Sequence, residues 1–253
     1  MALKFFYDAE NSATLSGTDY SSGDTTGTNT AATFSGTAAK SGSYGIESAA
    51  STATNILFNA ASIWPSAATP SASAGSMGLW FQMTTGSMGN ALAFGIRCSG
   101  SSTSDRIGFE GLTGAKASIV CGNATNVQRT SLAGALSAAT WYFLVGRWDI
   151  ANGKLAIEIY TDAGGSTTLV EAVEDTGLAL SSTYLPASAF ANLQTALHSA
   201  SEADPMYSDH FLISDSYSAP LQNNAFITDY VNYSESATSW QQFYRRPNTL
   251  LRM

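Results

Sequence analysis

The sequence has little charge, few cysteines and histidines, and no long apolar run. Only 12% of its 253 residues are charged, with 11 Lys and Arg against 19 Asp and Glu, and it contains two cysteines and two histidines. A coiled coil needs far more Glu, Lys and Arg. A nucleic-acid-binding protein needs a basic surface, whereas this chain has a formal charge of −8 and a pI near 4.6. We therefore expect no nucleic acid as a partner.

Long apolar segments are also missing. No window of the sequence approaches 18 apolar residues, so we expect no membrane-spanning helix and no membrane partner. Residues 1–8 hold Lys4 but no apolar stretch of signal-peptide length before Asp8, so the sequence predicts no secretory signal. Cys98 and Cys121 are expected to behave as small buried hydrophobic residues rather than as a disulfide, although pairing stays open.

Small residues dominate what is present. Ser, Thr, Ala and Gly fill 123 of the 253 positions. Disorder is a poor fit, because 44% of the residues are hydrophobic and 11% are aromatic, which is enough to bury a core. Ser and Thr are tolerated on the solvent face of antiparallel strands, and Gly suits turns. The composition therefore favours a many-stranded protein.

Short apolar runs between turn-forming residues predict strands throughout the chain. Ala32–Thr37 and Ser43–Glu47 have the spacing of strands beside glycine turns, which we favour over a flexible arm. Gly78–Met83 and Ala91–Cys98 flank a loop of turn formers and predict a hairpin. Further strands are predicted at Asn55–Phe58, Arg106–Glu110, Ala117–Cys121, His210–Ile213 and Ala225–Thr228, of which the second and third form another hairpin.

The clearest strand pair is Trp141–Trp148 followed by Lys154–Tyr160. The Asn152-Gly153 step between them supplies the turn chemistry. In the second strand Leu155, Ile157 and Ile159 are expected on one face and the alternate residues on the other. Two segments invite a helix, 187–197 and 238–245, although the first is equally consistent with a strand.

The order of these segments resembles the concanavalin A-like and laminin-G-like domains, of the kind found in virion surface proteins of tailed bacteriophages. The resemblance is carried by Phe34–Glu47, Gly78–Met83, Thr140–Tyr160 and Ser208–Tyr217. It implies an all-β fold, a concanavalin A-like β-sandwich or jelly roll of two antiparallel sheets with a C-terminal arm. It also divides the chain into an N-terminal arm or first edge strands (1–30), a laminin-G-like β-sandwich (31–222), and a C-terminal strand with a basic aromatic tail (223–253).

The sequence offers little for catalysis. Glycosidases on this scaffold need two carboxylates that converge, but Glu171 and Glu174 are predicted on opposite faces of one strand. His198 and His210 are the only histidines, and His210 is expected to be an ordinary edge residue. No Gly-x-Ser-x-Gly motif marks a nucleophile, although counting residues leaves a Ser-His-Asp triad open. We expect no catalytic residues, no enzyme activity and no cofactor.

Metal and sugar sites are judged from the acids and the tryptophans. Glu202, Asp204, Asp209 and Asp215 form the densest acidic cluster, but their spacing fits no calcium loop and we expect solvated loop acids and no metal. Sugars stack on exposed aromatic rings. Trp80 and Trp141 are expected in the core, whereas Trp64, in a loop rich in Ala and Ser, and Trp148, at a strand end, are candidate glycan-binding residues.

The C-terminal tail differs in charge from the rest of the chain. Residues 1–240 carry a net charge of −11, whereas residues 241–253 carry +3 and no acid. A frayed terminus is the ordinary expectation, but the tail's apolar side chains favour docking on the chain's own sheet or on a neighbouring subunit. The predicted partner-binding residues are Trp240, Phe243, Tyr244, Arg245, Arg246, Leu250, Leu251 and Arg252.

Taken together, these features predict a non-catalytic virion structural protein of a tailed bacteriophage. It would be a capsid decoration or cement protein or a tail-associated adhesin, made in the host cytoplasm and located in the virion. Its expected partners are copies of itself in a homo-oligomer and other virion proteins of the capsid or tail, contacted through edge strands and the terminal arm. The alternative is a carbohydrate-binding module or lectin that binds a surface glycan, and a polysaccharide hydrolase or lyase comes third.

Overall fold

The structure is a computed structural model. It describes residues 3–7, 9–10, 16–19, 23–40, 42–59, 74–86, 88–89, 92–99, 106–122, 127–162, 167–180, 192–214 and 217. Every regular element in these ranges is a strand, and none of them contains a helix long and apolar enough to cross a membrane. The predicted strand Ala225–Thr228, the helix candidate 238–245 and the predicted tail lie outside the described residues.

The described residues form seventeen strands. They are β1 (Leu3–Tyr7), β2 (Ser16–Asp19), β3 (Gly23–Thr26), β4 (Thr28–Thr30), β5 (Thr33–Ser35), β6 (Gly45–Ser48), β7 (Thr54–Asn59), β8 (Ala74–Met83), β9 (Leu92–Ser99), β10 (Arg106–Leu112), β11 (Lys116–Gly122), β12 (Val127–Ser131), β13 (Tyr142–Asp149), β14 (Lys154–Asp162), β15 (Thr167–Asp175), β16 (Asn192–His198) and β17 (Met206–Ser214).

The strands form two antiparallel sheets, so the expected all-β sandwich is confirmed. One sheet has ten strands, with the order β15-β14-β13-β8-β17-β1-β2-β3 and β6 and β5 joined beside β17. The other has seven, in the order β12-β11-β10-β9-β16-β7-β4. Strands β1 to β3 lie at one edge of the larger sheet, with β1 paired to β17. The domain boundaries at residues 30 and 222 remain predictions.

The hairpin of β13 and β14 is confirmed. Its register runs from Tyr142 opposite Thr161 to Asp149 opposite Lys154. The carboxylate of Asp149 accepts hydrogen bonds from the backbone and the side-chain amide of Asn152, which holds the turn. Gly153 then takes a φ of 60°, a left-handed conformation that glycine adopts without strain.

The hairpin predicted for β8 and β9 is wrong. Strand β8 pairs with β13 and β17 in the ten-stranded sheet, whereas β9 pairs with β10 and β16 in the other sheet. The intervening segment therefore carries the chain from one sheet to the other. Turn-forming residues between two apolar strands mark a change of direction, but they do not say whether the second strand returns beside the first.

The core lies between the sheets and is rich in aromatic rings. The Phe81 ring on β8 lies 4.8 Å from the Phe94 ring on β9, which joins the two layers directly. At the other end, the Phe58 ring of β7 lies 4.9 Å from Phe5 of β1 and 5.4 Å from Tyr7. Such tilted ring pairs add stability beyond the area that they bury.

Both cysteines are buried, and neither forms a disulfide. Cys98 on β9 and Cys121 on β11 both lie opposite Ile107 of β10, one on each side of it. Their Cα atoms are therefore two strand spacings apart, about 10 Å, which is more than a disulfide can bridge. The expectation of small buried hydrophobic residues is confirmed.

The helix alternative for residues 187–197 is wrong in its described part, because residues 192–198 form β16 in the middle of the seven-stranded sheet. Leu193 pairs with Phe58 on one side and with Cys98 on the other. The apolar pattern of this segment fits both a helix and a strand, and its burial between two neighbouring strands decides in favour of the strand.

Candidate functional site

The outward faces of the two sheets differ sharply. On the ten-stranded sheet the outward side chains of β8, β13 and β17 include Trp80, Phe143, Arg147 and Leu212, none of which is more than 2% exposed. On the seven-stranded sheet the outward side chains include four half-buried polar ones, which are Arg97 of β9, Arg106 of β10, Arg129 of β12 and Gln194 of β16. The second face therefore presents a group of hydrogen-bonding side chains to solvent.

Three arginines and one glutamate lie on this open face. Glu110 on β10 is 1% exposed, and its two carboxylate oxygens are held separately. Arg106 donates from Nε to Oε1 at 2.7 Å, and Arg129 of β12 donates from Nη2 to Oε2 at 2.6 Å. Hydrogen bonds between charged partners are stronger than neutral ones, so Glu110 fixes both guanidinium groups in position.

The third arginine lies on the other side of β10. Arg97 of β9 donates from Nε and Nη2 to the side-chain oxygen of Gln194 on β16, at 2.9 and 2.5 Å. The strand register places Arg129, Val120, Gly108, Arg97 and Gln194 in one row across five strands. We call Arg97, Arg106, Glu110, Arg129 and Gln194, with Gly108 among them, the arginine face.

Gly108 makes the arrangement sterically possible. A Cβ atom at this position would lie 2.8 Å from Cβ and 2.9 Å from Cγ of Arg97, closer than real Cβ contacts come. Gly108 also lies between Arg106 and Glu110 on the outward side of β10, so these side chains meet over a residue that has none. The glycine thus leaves room for all the long side chains around it.

The arginine face is a basic region of an acidic protein. Its three arginines and one glutamate sum to +2, against −8 for the whole chain. Burial and the neighbouring charge of Arg106 lower the pKa of the Arg97 guanidinium, while Glu110 opposes the shift. Burial is the largest cause, so the lowered pKa shows chiefly that the Arg97 guanidinium is partly removed from water, and the charge of Arg106 adds to this effect.

Trp148 is the one predicted site residue whose side chain the structure places. It has no exposed surface and belongs to the core between the sheets, where its ring lies against Gly75 of β8. The interpretation of Trp148 as a candidate glycan-binding ring is therefore wrong, because a ring must be exposed for a sugar to stack on it. The alternation of β13 places Trp148 on the inward side together with Leu144.

The remaining predicted site residues lie outside the described residues. They are Trp64 and the tail set Trp240, Phe243, Tyr244, Arg245, Arg246, Leu250, Leu251 and Arg252. Their roles in glycan binding and in partner binding stay predictions.

Neither histidine is an ordinary surface residue. The ring nitrogens of His198 each lie 2.9 Å from a backbone carbonyl oxygen, those of Thr52 and Asp204. His198 therefore ties β16 to two loops, and neither nitrogen is left for a nucleophile. The expectation that His210 is an edge residue is wrong, because it lies inside β17, is 4% exposed and takes a φ of 48° at a bulge beside Asp209.

The acidic cluster is not solvated as predicted. Glu202 and Asp209 are 3% and 0% exposed and accept hydrogen bonds from backbone amides, Glu202 from Gly89 and Asp209 from Lys40 and His210. These carboxylates hold loops against the sheets. Among the described residues, which leave out Asp215, no three His, Cys, Asp or Glu side chains come together in a way that could hold a metal ion.

Glu171 and Glu174 lie on opposite faces of β15, as predicted. Glu171 accepts hydrogen bonds from the backbone amides of Ala133 and Gly134, whereas Glu174 pairs with Lys154 at 3.6 Å and accepts from the hydroxyl of Tyr217. The two carboxylates serve separate loops and do not converge as a glycosidase pair would.

The sequence reasoning missed Arg97, Arg106 and Arg129. They come from three different strands, and no spacing along the chain announces their proximity. The signal that was available is the scarcity of cations. Of the eight Lys and Arg residues in positions 1–240, four lie between residues 97 and 129 in the segment that forms β9 to β12, namely the three arginines and Lys116.

Comparison with solved structures supports the β-sandwich fold. No protein-family model matches the chain, and no curated protein matches it in sequence. Among solved structures, the binding domain of botulinum neurotoxin DC in complex with rat synaptotagmin II has a TM-score of 0.61 and 8% identity, over 91% of this chain and 52% of that one. Another solved structure is of botulinum neurotoxin type C, and its description says that cell entry of this toxin depends on interaction with two ganglioside molecules. It has a TM-score of 0.59 and 9% identity, over 91% of this chain and 51% of that one.

A second kind of neighbour is matched over nearly its whole length. Domain 4 of AbnA, a GH43 extracellular arabinanase from Geobacillus stearothermophilus in complex with arabinotriose, has a TM-score of 0.54 and 13% identity, over 87% of this chain and 95% of that domain. This chain spans about half the length of the neurotoxin chains. At these identities the likeness shows the fold alone, and function has to be argued from the site.

Proposed function

We propose that this chain is a non-catalytic carbohydrate-binding module that holds a glycan on the outward face of its seven-stranded sheet. The observation that carries the proposal is the arginine face itself, a row of fixed guanidinium and amide groups on the seven-stranded sheet, whereas large outward side chains at the centre of the other sheet, such as Trp80 and Phe143, are buried. Planar polar side chains held by their neighbours are suited to sugar hydroxyls, which both donate and accept hydrogen bonds.

The neighbours support this proposal over the virion hypothesis. Their descriptions name arabinotriose for the arabinanase domain and gangliosides for the type C neurotoxin. They are binding domains rather than catalytic ones, which also supports the absence of enzyme activity. A protein receptor, as named for the neurotoxin DC domain, is the competing kind of ligand.

A broad glycan array tests the proposal. The expected result is binding to at least one class of glycan, with affinity lost in Gln194→Ala. Gln82→Ala is the matched control, because Gln82 occupies β8 of the other sheet and loses the same amide. Absence of binding by the wild-type protein across the array, or equal losses in the two variants, would overturn the proposal.

Trp64→Ala adds a second arm to the same array. If the Trp64 ring supplies a stacking platform, as the sequence predicts, this variant loses binding as well. Unchanged binding in Trp64→Ala together with lost binding in Gln194→Ala would place the site on the arginine face without a contribution from Trp64.

Location on a tailed-phage virion remains our second proposal. It is supported by the Ser- and Thr-rich composition and by the basic aromatic tail on an acidic body, and a tail-associated adhesin would unite it with glycan binding. Deleting residues 241–253 should convert a defined homo-oligomer into a folded monomer, measured by light scattering. A full-length protein that is already monomeric, or a truncated one that assembles normally, would count against the role of the tail.

A further inference from the structure

The arginine face keeps hydrogen-bonding capacity that the protein does not use. Arg97 donates from Nε and Nη2 only, both to Gln194, so its Nη1 is left without an acceptor in the described part of the chain. Arg129 donates from Nη2 to Glu110, and its Nε is buried with no hydrogen-bond partner there. Arg97 is partly exposed, so its Nη1 can donate to a ligand that arrives from solvent, whereas the buried Nε of Arg129 is out of a ligand's reach.

The charges of the arginine face also favour a ligand that brings an acceptor. Glu110 is bonded through both oxygens to Arg106 and Arg129, whereas the described hydrogen bonds of Arg97 go to the neutral side chain of Gln194. An anion beside Arg97 would therefore neutralise a guanidinium whose described hydrogen-bond partner carries no charge. Because Arg97 is largely buried and feels the positive charge of Arg106, an anion beside it would act at short range and in a medium of lowered dielectric constant.

The face also lacks what neutral sugars use most. The outward side chains of β7, β9, β10, β11, β12 and β16 that the structure describes include no aromatic ring; the apolar ones are aliphatic, such as Val120 on β11 and Leu57 on β7. A ligand there meets guanidinium groups and an aliphatic floor. Recognition therefore depends on charge and hydrogen bonds rather than on stacking.

We propose that the glycan bound on the arginine face is anionic, a sugar with a carboxylate or sulfate group, and that Arg97 is the principal donor to that group. The inference rests on the proposed function and specifies its ligand class. Arg106 and Arg129, held by Glu110, supply the surrounding positive field. A guanidinium presents paired donors that match the oxygens of a carboxylate or a sulfate, whereas an ammonium presents a point charge.

Matched ligands separate charge from shape. The acidic glycans bound on the array are measured again beside their carboxyl-reduced or desulfated counterparts by isothermal titration calorimetry. Comparing the loss on carboxyl reduction with the loss on desulfation shows whether a carboxylate or a sulfate is the anionic group that is bound. The expected result is that removing the anionic group weakens binding roughly 10- to 100-fold, the range for one charged hydrogen-bonded contact, and that binding to the acidic form weakens as NaCl is raised.

Matched variants identify the residue. Arg97→Gln should weaken binding of the acidic glycan roughly 10- to 100-fold and Arg97→Lys should recover part of the loss. Lys154→Gln removes one positive charge from the other sheet and should change nothing. Near-ultraviolet circular dichroism and the melting temperature confirm that each variant is folded, and Arg129→Gln gives a second measurement if Arg97→Gln does not fold.

The outcomes distinguish the two proposals. Equal affinity for the acidic glycan and its neutral counterpart, with Gln194→Ala still defective, would overturn the anionic ligand and leave the carbohydrate-binding proposal standing. No glycan bound on the array would overturn both. Equal losses in Arg97→Gln and Lys154→Gln would show that only the overall charge matters and would overturn the role given to Arg97.

Discussion

The most incisive stability prediction concerns a buried ion pair on the ten-stranded sheet. Arg147 of β13 and Glu158 of β14 are 0% and 2% exposed, and Arg147 Nη2 lies 2.5 Å from Glu158 Oε1. The hydroxyl of Tyr160 donates to the other oxygen of Glu158 at 2.5 Å. Arg147→Met takes away the described cationic partner of a buried carboxylate, so it should lower the free energy of unfolding by about 3 to 5 kcal/mol.

That loss is large compared with the whole stability of a domain, about 5 to 15 kcal/mol. The double variant Arg147→Met with Glu158→Leu should recover most of it, because neither charge then remains to be desolvated. Tyr160→Phe should cost about 1.5 to 3 kcal/mol, since it removes one hydrogen bond to the carboxylate. Lys154→Met is the control, because its pair with Glu174 is about one third exposed and should contribute no more than about 1 kcal/mol.

Urea unfolding followed by tryptophan fluorescence measures these values, with the dependence on urea concentration showing whether the transition stays two-state. The reasoning is refuted if Arg147→Met costs less than about 1 kcal/mol, the value of a solvated pair. A double variant as unstable as the single one would also refute it, because the loss would then come from packing of the Arg147 stem rather than from the charge left on Glu158.

Three further predictions follow from single contacts. Gly75→Ala should destabilise the protein by about 1 to 3 kcal/mol in urea unfolding, because the added Cβ would lie 2.2 Å from the buried Trp148 ring. Gly36→Ala is the control and should cost far less, because its Cβ would lie 3.4 Å from its nearest neighbour. Equal effects of the two substitutions would contradict this. Burial raises the pKa of the Cys121 thiol to about 12, so the unfolded chain loses this proton at a lower pH than the folded protein does. The free energy of unfolding should therefore fall by up to about 1.4 kcal/mol per pH unit above pH 9. Cys121→Ala should reduce that slope. Glu110→Gln should strengthen binding of an acidic glycan while lowering the melting temperature, since it raises the charge of the arginine face and weakens the hold on Arg106 and Arg129; weaker binding in a folded variant would argue against the anionic ligand.

The sequence predicted the strands better than their partners. Period-two patterns located β10, β11, β13 and β14 closely, because one face of each is buried against the other sheet. The same patterns failed for the pairing of β8 with β9, since a loop of turn formers is compatible with a hairpin and with a crossing between sheets. The general fold could be recognised from the order of strands, whereas the sheet to which each strand belongs depends on contacts distant in sequence.

Polar residues were the least predictable. Ser and Thr were assigned to solvent faces, and β4 is exposed as expected, but Thr54 is buried and donates to the carbonyl of Ala196. Asp209 was assigned to a solvated loop and is instead buried beneath the amides of Lys40 and His210. A hydrogen-bond partner decides whether a polar group can be buried, and such partners lie up to 169 positions away in the chain.

The arginine face shows why total charge was a poor guide to ligands. A formal charge of −8 suggests that anions are repelled, but at physiological salt an exposed charge is screened beyond about 8 Å. What an approaching carboxylate meets is set by groups within that distance, and strand register brings Arg97, Arg106 and Arg129 together with Glu110 as the one acid among the described side chains of the face. An acidic protein can therefore carry an anion site wherever neighbouring strands each contribute one of its few cations, and the acidic remainder affects the rate of approach at low salt more than the affinity at the site.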